Sequence, residues 1–260
     1  MKLISLNVEG SRHWPLIDPF FDLARPDVIC LQEVFEEDAA RAAGRLGMAH
    51  AFSPMTLRHY DFSDENTPLR PFGIAILSRD PLRDVREQKY HSTARPISAG
   101  DAATLEARRA TFRQTLLSAE VTAGDEALRV ATTHFTWTPD GMSNRYQEED
   151  ARALMRMLDD MPPLALCGDF NIPRHVNPLY DVFIAKYRDA IPDSYLSSLD
   201  LSLHRRGGNP EAAASLAKFM VDYLFLGEGY RADDVRLQSG VSDHYAIVAT
   251  VARDTPQGGR

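Results

Sequence analysis

The chain has 260 residues, enough for one well-buried core, and its 44% hydrophobic and 25% charged residues are typical of a globular protein. It carries 29 Lys and Arg against 37 Asp and Glu, and the net charge of -8 disfavours tight, sequence-independent binding to a long polyanion. No apolar stretch approaches the roughly 20 residues that span a bilayer, and no long apolar signal region follows Met1, so we expect a cytoplasmic protein.

Short apolar runs recur along the chain at lengths typical of β-strands. In chain order, strands are predicted at residues 2–8, 27–32, 49–53, 73–78, 85–91, 110–121, 128–134, 164–170, 220–226, 235–239 and 246–251. The strands at 110–121 and 128–134 flank a turn at Gly124, which predicts a long antiparallel hairpin.

Helices are predicted between these strands, from helical spacing of apolar residues and from capping signals. They cover residues 16–24, 36–46, 143–161 and 177–186. Three polar segments show no clear period and are predicted to be exposed loops: residues 54–71, 93–105 and 200–218.

This order of elements predicts two mostly antiparallel sheets packed face to face, with helices outside. Residues 1–252 are predicted to form a single domain without an internal repeat, and residues 253–260 a flexible tail. Cys30 and Cys167 lie inside apolar runs, so we expect them in the core rather than in a disulfide or a metal site.

Polar side chains lie in or at the ends of several predicted strands. Asp169 and Asn171 follow an apolar run and stand on the same side of the backbone, because side chains alternate along a strand. A carboxylate and a carboxamide placed in this way can bind a water and an anionic oxygen together. Comparable positions are held by Asn7, Glu33, His134, Asp222, Asp243 and His244.

Hydrolysis of a phosphate ester requires an activated water and positive charge around the phosphoryl oxygens. Asn7, Glu33 and Asp243 offer three oxygen ligands from distant segments, and oxygen is the ligand that Mg²⁺ prefers. Taken alone, Glu33 also fits an exposed acid at the start of the next helix. The set as a whole favours a metal-dependent phosphoesterase.

Asp222 lies in a strongly apolar run, where a carboxylate is costly unless it has a partner. If that partner is His244, the imidazole has a fixed tautomer and a stabilised charged form, and it can donate to a phosphoryl oxygen. Backbone donors would satisfy Asp222 equally well. His134 ends a strand and could contact the phosphate or the leaving group, although a lone histidine there is more often structural.

Arginines are frequent in the predicted loops and at strand edges, and each could bind a phosphate or be a solvated surface residue. They are Arg58, Arg70, Arg95, Arg108, Arg109, Arg145, Arg174, Arg205 and Arg206. Trp137 could stack on a base, a sugar or another headgroup, or pack as a plain apolar residue. The other histidines, His13 among them, are expected at the surface or in loops, with His175 and His204 as weaker pocket candidates.

The ordered set of motifs resembles the endonuclease/exonuclease/phosphatase superfamily, which includes DNase I, abasic endonucleases of the exonuclease III type and neutral sphingomyelinases. The motifs are Leu6-Asn7, Leu31-Gln32-Glu33, Thr133-His134-Phe135, Gly168-Asp169-Phe170-Asn171, Val221-Asp222-Tyr223-Leu224 and Ser242-Asp243-His244. The resemblance implies a four-layer α/β sandwich with a site at one end of the paired sheets, and hydrolysis assisted by Mg²⁺ or Mn²⁺. It implies Asn7 and Glu33 at the metal, with Asp243 near it.

The resemblance also implies catalytic roles. Asp169 would orient or deprotonate the attacking water, and Asn171 and His244 would stabilise the pentacovalent state. Asp222 would hold His244, and His134 would contact the scissile phosphate. All these positions are filled by the residue types that the family uses.

The substrate stays open at this point: a nucleic-acid end, a nucleotide, a phospholipid headgroup or a sugar phosphate would each fit. The basic and intercalating loops of the abasic endonucleases have no identifiable equivalent here. A sphingomyelinase-like or inositol-phosphatase-like activity is the alternative to a nuclease. A non-catalytic binding module on the same fold would predict erosion of the acidic and histidine set, which is complete. We expect a monomer.

Overall fold

The computed structural model describes residues 1–62, 64–93, 104–124 and 126–254. Its strands are β1 (Lys2–Asn7), β2 (Val28–Phe35), β3 (Ala49–His59), β4 (Leu69–Ser78), β5 (Arg83–His91), β6 (Gln114–Ala123), β7 (Glu126–His134), β8 (Ala165–Asp169), β9 (Arg188–Asp189), β10 (Asp222–Leu226), β11 (Tyr230–Gln238) and β12 (Ala246–Arg253). Its helices are α1 (Trp14–Ala24), α2 (Glu36–Leu46), α3 (Leu105–Thr111), α4 (Arg145–Asp159), α5 (Leu179–Ile184) and α6 (Pro210–Leu216).

The strands form two six-stranded sheets. Sheet A has the order β11-β12-β1-β2-β4-β3, and sheet B has the order β5-β6-β7-β8-β10-β9. The two strands in the middle of each sheet run parallel, namely β1 with β2 and β7 with β8. The remaining neighbours are antiparallel, so the predicted mostly antiparallel sheets are confirmed.

The alternation of side chains along each strand explains how the layers pack. In β1, Leu3 lies in the core between the two sheets, whereas Ile4 and Leu6 pack on the opposite face with Ile17 and Phe21 of α1. Helices α1 and α2 cover sheet A, while α4 packs beside β5 of sheet B. This arrangement confirms the predicted sandwich with helices on both outer faces.

Polar groups also join the sheets within the core. The side-chain Nε2 of Gln32 in sheet A donates to Oγ1 of Thr132 in sheet B over 2.9 Å. Cys30 and Cys167 are both buried and free, which confirms that they are core residues rather than a disulfide. The hydrogen bond between Gln32 and Thr132 joins the two sheets just below the ends of their strands.

The prediction of an exposed loop over residues 54–71 is wrong for half of this segment, because residues 54–59 and 69–71 belong to the hairpin of β3 and β4. Three prolines suggested a break in regular structure. Pro54, however, lies at a shift in the strand register, where a missing backbone N–H is tolerated. The hairpin extends beyond the predicted strands at residues 49–53 and 73–78, to His59 in β3 and back to Leu69 in β4.

Other boundaries also differ from the predictions. Residues 105–111 form α3, capped by the side chain of Thr104, so the strand predicted from residue 110 begins only at Gln114. Helix α6 lies within the predicted loop 200–218 and begins after the Asn209 cap. Most of the predicted loop 93–105 lies outside the described residues.

The chain stays ordered beyond the predicted domain end. Arg253 is still part of β12, and the backbone N–H of Asp254 donates to the carbonyl of Gly229 over 2.9 Å. The rest of the predicted tail, residues 255–260, lies outside the described residues. Among the helices that the structure describes, none combines the length and the apolar character needed to cross a bilayer.

Gly168 allows the two parallel strands of sheet B to approach closely just before Asp169. Its φ is 145°, and a Cβ atom at this position would lie 2.0 Å from the carbonyl oxygen of Thr133. A side chain here would therefore require the backbone of β7 or β8 to move. The close approach sets where the end of β8 presents Asp169.

Gly168→Ala is expected to lower the free energy of unfolding by about 2–5 kcal/mol, through the clash and the unfavourable φ. The matched control is Gly44→Ala in α2, where a Cβ would meet nothing within 4 Å. The free energy of unfolding of this control is expected to rise by about 0.5–1 kcal/mol, because alanine is the better helix former. Urea denaturation of both variants measures the difference, and equal stability of the Gly168→Ala and wild-type proteins would contradict the packing described here.

Candidate active site

The candidate site lies in a cleft of about 620 Å³ at one end of the two sheets. Asn7 ends β1 of sheet A, and Asp169 ends β8 of sheet B. The side-chain Nδ2 of Asn7 donates to Oδ2 of Asp169 over 3.0 Å, in a bond that is buried. This hydrogen bond therefore connects the ends of the two sheets at the floor of the cleft.

Asp169 lies at the centre of the polar network. Its side chain is almost fully buried, and Oδ1 accepts the backbone N–H of Asn171 over 2.9 Å. Nε2 of His134 lies 3.6 Å from Oδ2, and Nε2 of His244 lies 3.9 Å from the same oxygen. Asp169 thus accepts two hydrogen bonds and lies between two imidazoles.

The charge state of Asp169 reflects opposing influences. Burial raises the pKa of Asp169, and the nearby charge of Asp222 raises it further. His244, His134 and the backbone N–H of Asn171 act in the opposite direction without cancelling the increase. A carboxylate with a raised pKa is a better proton acceptor than an ordinary aspartate, which suits a general base.

His244 is held by Asp222, the pairing that the resemblance implied and that the residues alone had left open. Nδ1 of His244 lies 2.7 Å from Oδ2 of Asp222. The hydroxyl of Ser198 donates to the same carboxylate oxygen over 2.6 Å, and it accepts the backbone N–H groups of Val221 and Asp222 over 3.1 Å. Ser198 is fully buried and therefore fixes Asp222 against its own strand.

This pairing determines the charge of His244. Burial alone would lower the pKa of His244, but the charges of Asp222, Asp169 and Asp243 and the hydrogen bond to Asp222 outweigh it. The pKa of His244 therefore lies well above its ordinary value, which favours the imidazolium form of the ring. Because Nδ1 is occupied, Nε2–H is the group that faces Asp169 and the cleft.

Glu33 is turned into the cleft by an irregularity in β2. It has a positive φ of 52° and lies where the pairing of β2 with β4 shifts register. Its Oε1 lies 3.6 Å from Nε2 of His134. His134 is therefore near both Glu33 and Asp169, and the interpretation of Glu33 as a simple helix cap does not hold, because no cap bond from its side chain precedes α2.

A second acidic cluster lies beside Glu33. The ligand atoms of Glu9, His13 and Asp243 all lie within 4.8 Å of one another, and all three residues are buried. Nε2 of His13 lies 2.8 Å from Oε2 of Glu9. His13 lies in the turn before α1, as expected for a loop residue, but it is buried rather than at the surface. Glu9 follows Asn7 by two residues, the spacing that also separates Asp169 from Asn171, and this signal in the sequence could have identified it.

Asp243 has an unusual protonation equilibrium. Burial raises its pKa to about 6, with further contributions from the charges of Glu9 and Glu33. The charge of His244 lowers the pKa but does not compensate. Glu9 and Glu33 thus both repel an ionised Asp243 on this side of the cleft, which is an electrostatic arrangement that favours a bound cation.

Asn171 is positioned by residues that the sequence analysis did not identify. Its side-chain Nδ2 donates to the carbonyl of Phe135 over 3.0 Å, and its own carbonyl accepts Nε2 of Gln147 over 3.1 Å. Gln147 also donates to the carbonyl of Thr136, and its Oε1 accepts Nδ2 of Asn177 over 2.8 Å. A glutamine in an amphipathic helix gives no signal of such a role, because most are solvated.

The arginines fall into distinct groups. Arg58, Arg108, Arg205 and Arg206 line the cleft. Arg174 is buried against Asp189 and is part of the core of sheet B rather than of the site. Arg70, Arg109 and Arg145 do not line this cleft. Arg95 lies outside the described residues.

The eight predicted site residues converge on this one network. They are Asn7, Glu33, His134, Asp169, Asn171, Asp222, Asp243 and His244. They come from strands and loops of both sheets that are distant in the sequence. The arrangement can hold a cation next to a buried general base and two imidazoles.

Comparison with solved structures shows that this fold is shared. An endonuclease/exonuclease/phosphatase protein from Beutenbergia cavernae has a TM-score of 0.68 at 20% identity, covering 97% of this chain and 71% of that chain. The human Nocturnin catalytic domain with a bound sulfate anion has a TM-score of 0.66 at 16% identity, covering 98% and 93%. A 3′ phosphatase, NExo, from Neisseria bound to a product DNA hairpin has a TM-score of 0.66 at 17% identity, covering 98% and 100%.

Sequence comparisons give a more specific result. No curated protein sequence matches the chain significantly. The model of the Endonuclease/Exonuclease/phosphatase family, by contrast, matches residues 4–244, which include all eight predicted site residues. The chain therefore belongs to the endonuclease/exonuclease/phosphatase family.

Proposed function

We propose that this protein is a divalent-metal-dependent hydrolase of phosphoester bonds, acting by in-line attack of a water activated by Asp169. Members of its family act on phosphoester bonds as nucleases and phosphatases. The observation that carries the proposal is the buried Asp169 carboxylate, held by Asn7 and the backbone of Asn171 between the rings of His134 and His244.

Asp169 has the properties of a general base. Its two hydrogen bonds fix the carboxylate in one orientation, so a free lone pair can accept a proton from a water in the cleft. The water gains nucleophilicity as its proton moves towards Asp169. Asn7 has a positioning role here, because its amide connects the base to the opposite sheet.

The imidazolium of His244 faces the region where negative charge develops. Its Nε2–H can donate to a phosphoryl oxygen, while Asp222 keeps the ring charged and oriented. His134 can donate to another phosphoryl oxygen from the opposite side of Asp169. Asn171 is held close to the base by its backbone and contributes a further polar group at the cleft.

The residues beside this network fit a divalent cation. The repulsion of an ionised Asp243 by Glu9 and Glu33 is the observation that supports the fit, and carboxylate oxygens are suitable ligands for Mg²⁺ or Mn²⁺. Asn7 can add its side-chain oxygen, which accepts the backbone N–H of Glu9 over 3.1 Å and keeps a second lone pair. When bound, the cation supplies positive charge for the phosphoryl oxygens.

The substrate class stays broad within this proposal. The structural neighbour bound to a DNA hairpin makes a nucleic-acid end one option, and a nucleotide, a phospholipid headgroup or a sugar phosphate are others. A panel of phosphodiesters and phosphomonoesters separates nuclease activity from sphingomyelinase-like or inositol-phosphatase-like activity. The cytoplasmic location and the monomeric state stay predictions.

Asp169→Asn is expected to reduce kcat by about 10³-fold or more, because the amide cannot accept the proton. Initial rates on the best substrate of the panel, with Mg²⁺ or Mn²⁺, measure the effect. Asp181→Asn, which alters an exposed carboxylate of α5, is the matched control and should retain wild-type activity. Retention of most activity by a folded Asp169→Asn protein would reject the role assigned to Asp169.

Removal of divalent cations is expected to abolish turnover, and excess Mg²⁺ or Mn²⁺ is expected to restore it. The reason is that the cleft carries several carboxylates whose charge must be neutralised before an anionic substrate can bind. The measurement is activity after dialysis against EDTA, followed by titration with each metal. Full activity in EDTA would contradict metal dependence.

Asp243→Asn is expected to stabilise the metal-free protein at pH 8 but not at pH 4. The pKa of Asp243 is raised from 3.8 to about 6 on folding, so its stabilising contribution is present below pH 4 and is lost as the pH rises through 6. The variant avoids this loss. Its free energy of unfolding, relative to that of the wild type, should therefore rise by about 3 kcal/mol between pH 4 and pH 8.

Urea denaturation in EDTA at both pH values measures the gain of the Asp243→Asn protein. Adding Mg²⁺ at pH 8 should reduce it, because the cation stabilises the ionised carboxylate only in the wild type. A difference between the two proteins that does not change with pH would show that Asp243 has an ordinary pKa.

A further inference from the structure

Two arginines in the wall of the cleft have no role in the proposed hydrolysis. Arg58 comes from β3 and Arg108 from α3, and both line the cleft together with Glu33, His134 and Asp169. The two side chains are half-buried. They therefore reach the region of the reacting phosphate from two separate elements of the fold.

Neither guanidinium forms an ion pair with a residue that the structure describes. Within the described part of the chain, no carboxylate lies within 4.0 Å of Arg58 or Arg108, whereas the neighbouring Arg205 contacts Glu9 over 2.5 Å. Arg109, next to Arg108 in the sequence, contacts Asp150 over 2.8 Å. The absence of a described carboxylate partner distinguishes Arg58 and Arg108 from Arg205 and Arg109. Arg206 lines the cleft without such a partner as well, but it is exposed, whereas Arg58 and Arg108 are half-buried.

Aromatic rings hold these two guanidinium groups instead. Arg58 lies over the ring of Phe62 at 4.7 Å and near that of Phe72 at 5.7 Å. Arg108 lies 4.9 Å from both Phe112 and Trp137. Stacking uses the flat face of a guanidinium and leaves its N–H edge free, which is the edge that binds an oxyanion bidentately.

The charges of the two arginines are only partly compensated. Burial lowers the pKa of both groups, and the charge of Arg58 lowers the pKa of Arg108 further, so the two repel each other. Glu33 is the nearby acid that favours their charged forms. If Glu33 binds a cation, as proposed above, its charge is neutralised and the two guanidiniums need another anion.

We propose that Arg58 and Arg108 form an anion subsite beside the reacting phosphate, and that the preferred substrate carries a second phosphoryl group next to the scissile one. The proposal rests on the phosphoesterase function proposed above. The second group could be the neighbouring phosphate of a nucleic-acid strand or the terminal phosphate of a small nucleotide, because both present the same oxyanion.

Two matched pairs of substrates test the subsite. The first pair is the dinucleotide TpT and its 5′-phosphorylated form pTpT, which tests the nucleic-acid source. The second pair is thymidine 3′-phosphate and thymidine 3′,5′-bisphosphate, which tests the small nucleotide. Within each pair the scissile bond is the same, and only the additional phosphoryl group differs.

The wild type is expected to prefer the additional phosphate in at least one pair by about tenfold or more in kcat/KM, the size of one charge-assisted hydrogen bond. In the Arg58→Gln/Arg108→Gln double variant, this preference should fall to within about threefold, mainly through a higher KM. Arg152→Gln on the exposed side of α4 is the control for loss of one surface charge and should keep the preference. Arg58→Lys and Arg108→Lys keep the charge without the planar fork, so their preference for the additional phosphate should lie between those of the wild type and the double variant. If thermal melting shows that the glutamine variants are unfolded, the lysine variants replace them in this test.

Binding measurements separate failure of this proposal from failure of the proposed function. Titration calorimetry of the Asp169→Asn protein with both pairs of substrates reports affinity without turnover. If the wild type hydrolyses none of the four substrates but the Asp169→Asn protein still prefers the additional phosphate, the subsite stands and the hydrolase proposal is in question. If neither hydrolysis nor binding distinguishes the members of either pair, or if the preference persists in the double variant, the subsite is rejected.

Discussion

The hydrogen bond between Asn7 and Asp169 is the interaction on which the site depends. It is buried, it joins the end of a strand in sheet A to the end of a strand in sheet B, and it orients the carboxylate that two imidazoles approach. A buried carboxylate without such donors would be costly and would move or bind a proton. The same pair of side chains thus joins the ends of the two sheets and orients the central carboxylate of the cleft.

Each of the two sheets that meet at this hydrogen bond contributes different residues to the site. Sheet A contributes Asn7 and Glu33, the residues on the side proposed for the cation. Sheet B contributes His134 and Asp169, the residues on the side proposed for the water. The imidazolium of His244 comes from the loop before β12 and completes the cleft. Each sheet therefore carries only part of the site residues, and the complete site exists only where the two sheets meet.

The sequence predicted much of this arrangement because its signals are local. Apolar runs identified most central strands, and a polar residue at the end of such a run is conspicuous, as for Asp169 after β8. Residues whose role depends on tertiary contacts were missed. Ser198 and Gln147 are buried only because distant segments cover them, and neither differs in sequence from a solvated residue. The outer half of the hairpin of β3 and β4 was missed because a proline was judged without its position in the ladder.

The residues around the reacting centre differ in kind from those of the cleft wall. The centre contains carboxylates, an amide and imidazoles, which suit the chemistry of one phosphorus atom. The wall contains arginines stacked on aromatic rings, an arrangement that discriminates between ligands by charge and shape. The first set was recognisable from motifs, whereas the second depends on which loops and helices meet at the cleft. Substrate choice is for this reason harder to predict from sequence than reaction type.

The matching order of the two sheets has a consequence for chain connectivity. Each sheet has its parallel pair in the middle, and the hairpin of β6 and β7 in sheet B corresponds to the antiparallel pair of β12 and β1 in sheet A. The backbone nitrogen of Met1 lies 3.0 Å from the carbonyl oxygen of Val251, so β12 and β1 are neighbours without a covalent connection between them. A short turn between β12 and β1 would close the backbone into a ring, and new ends could then be opened at Gly124. Circular permutation at these points would leave every strand, and with it the cleft, in place.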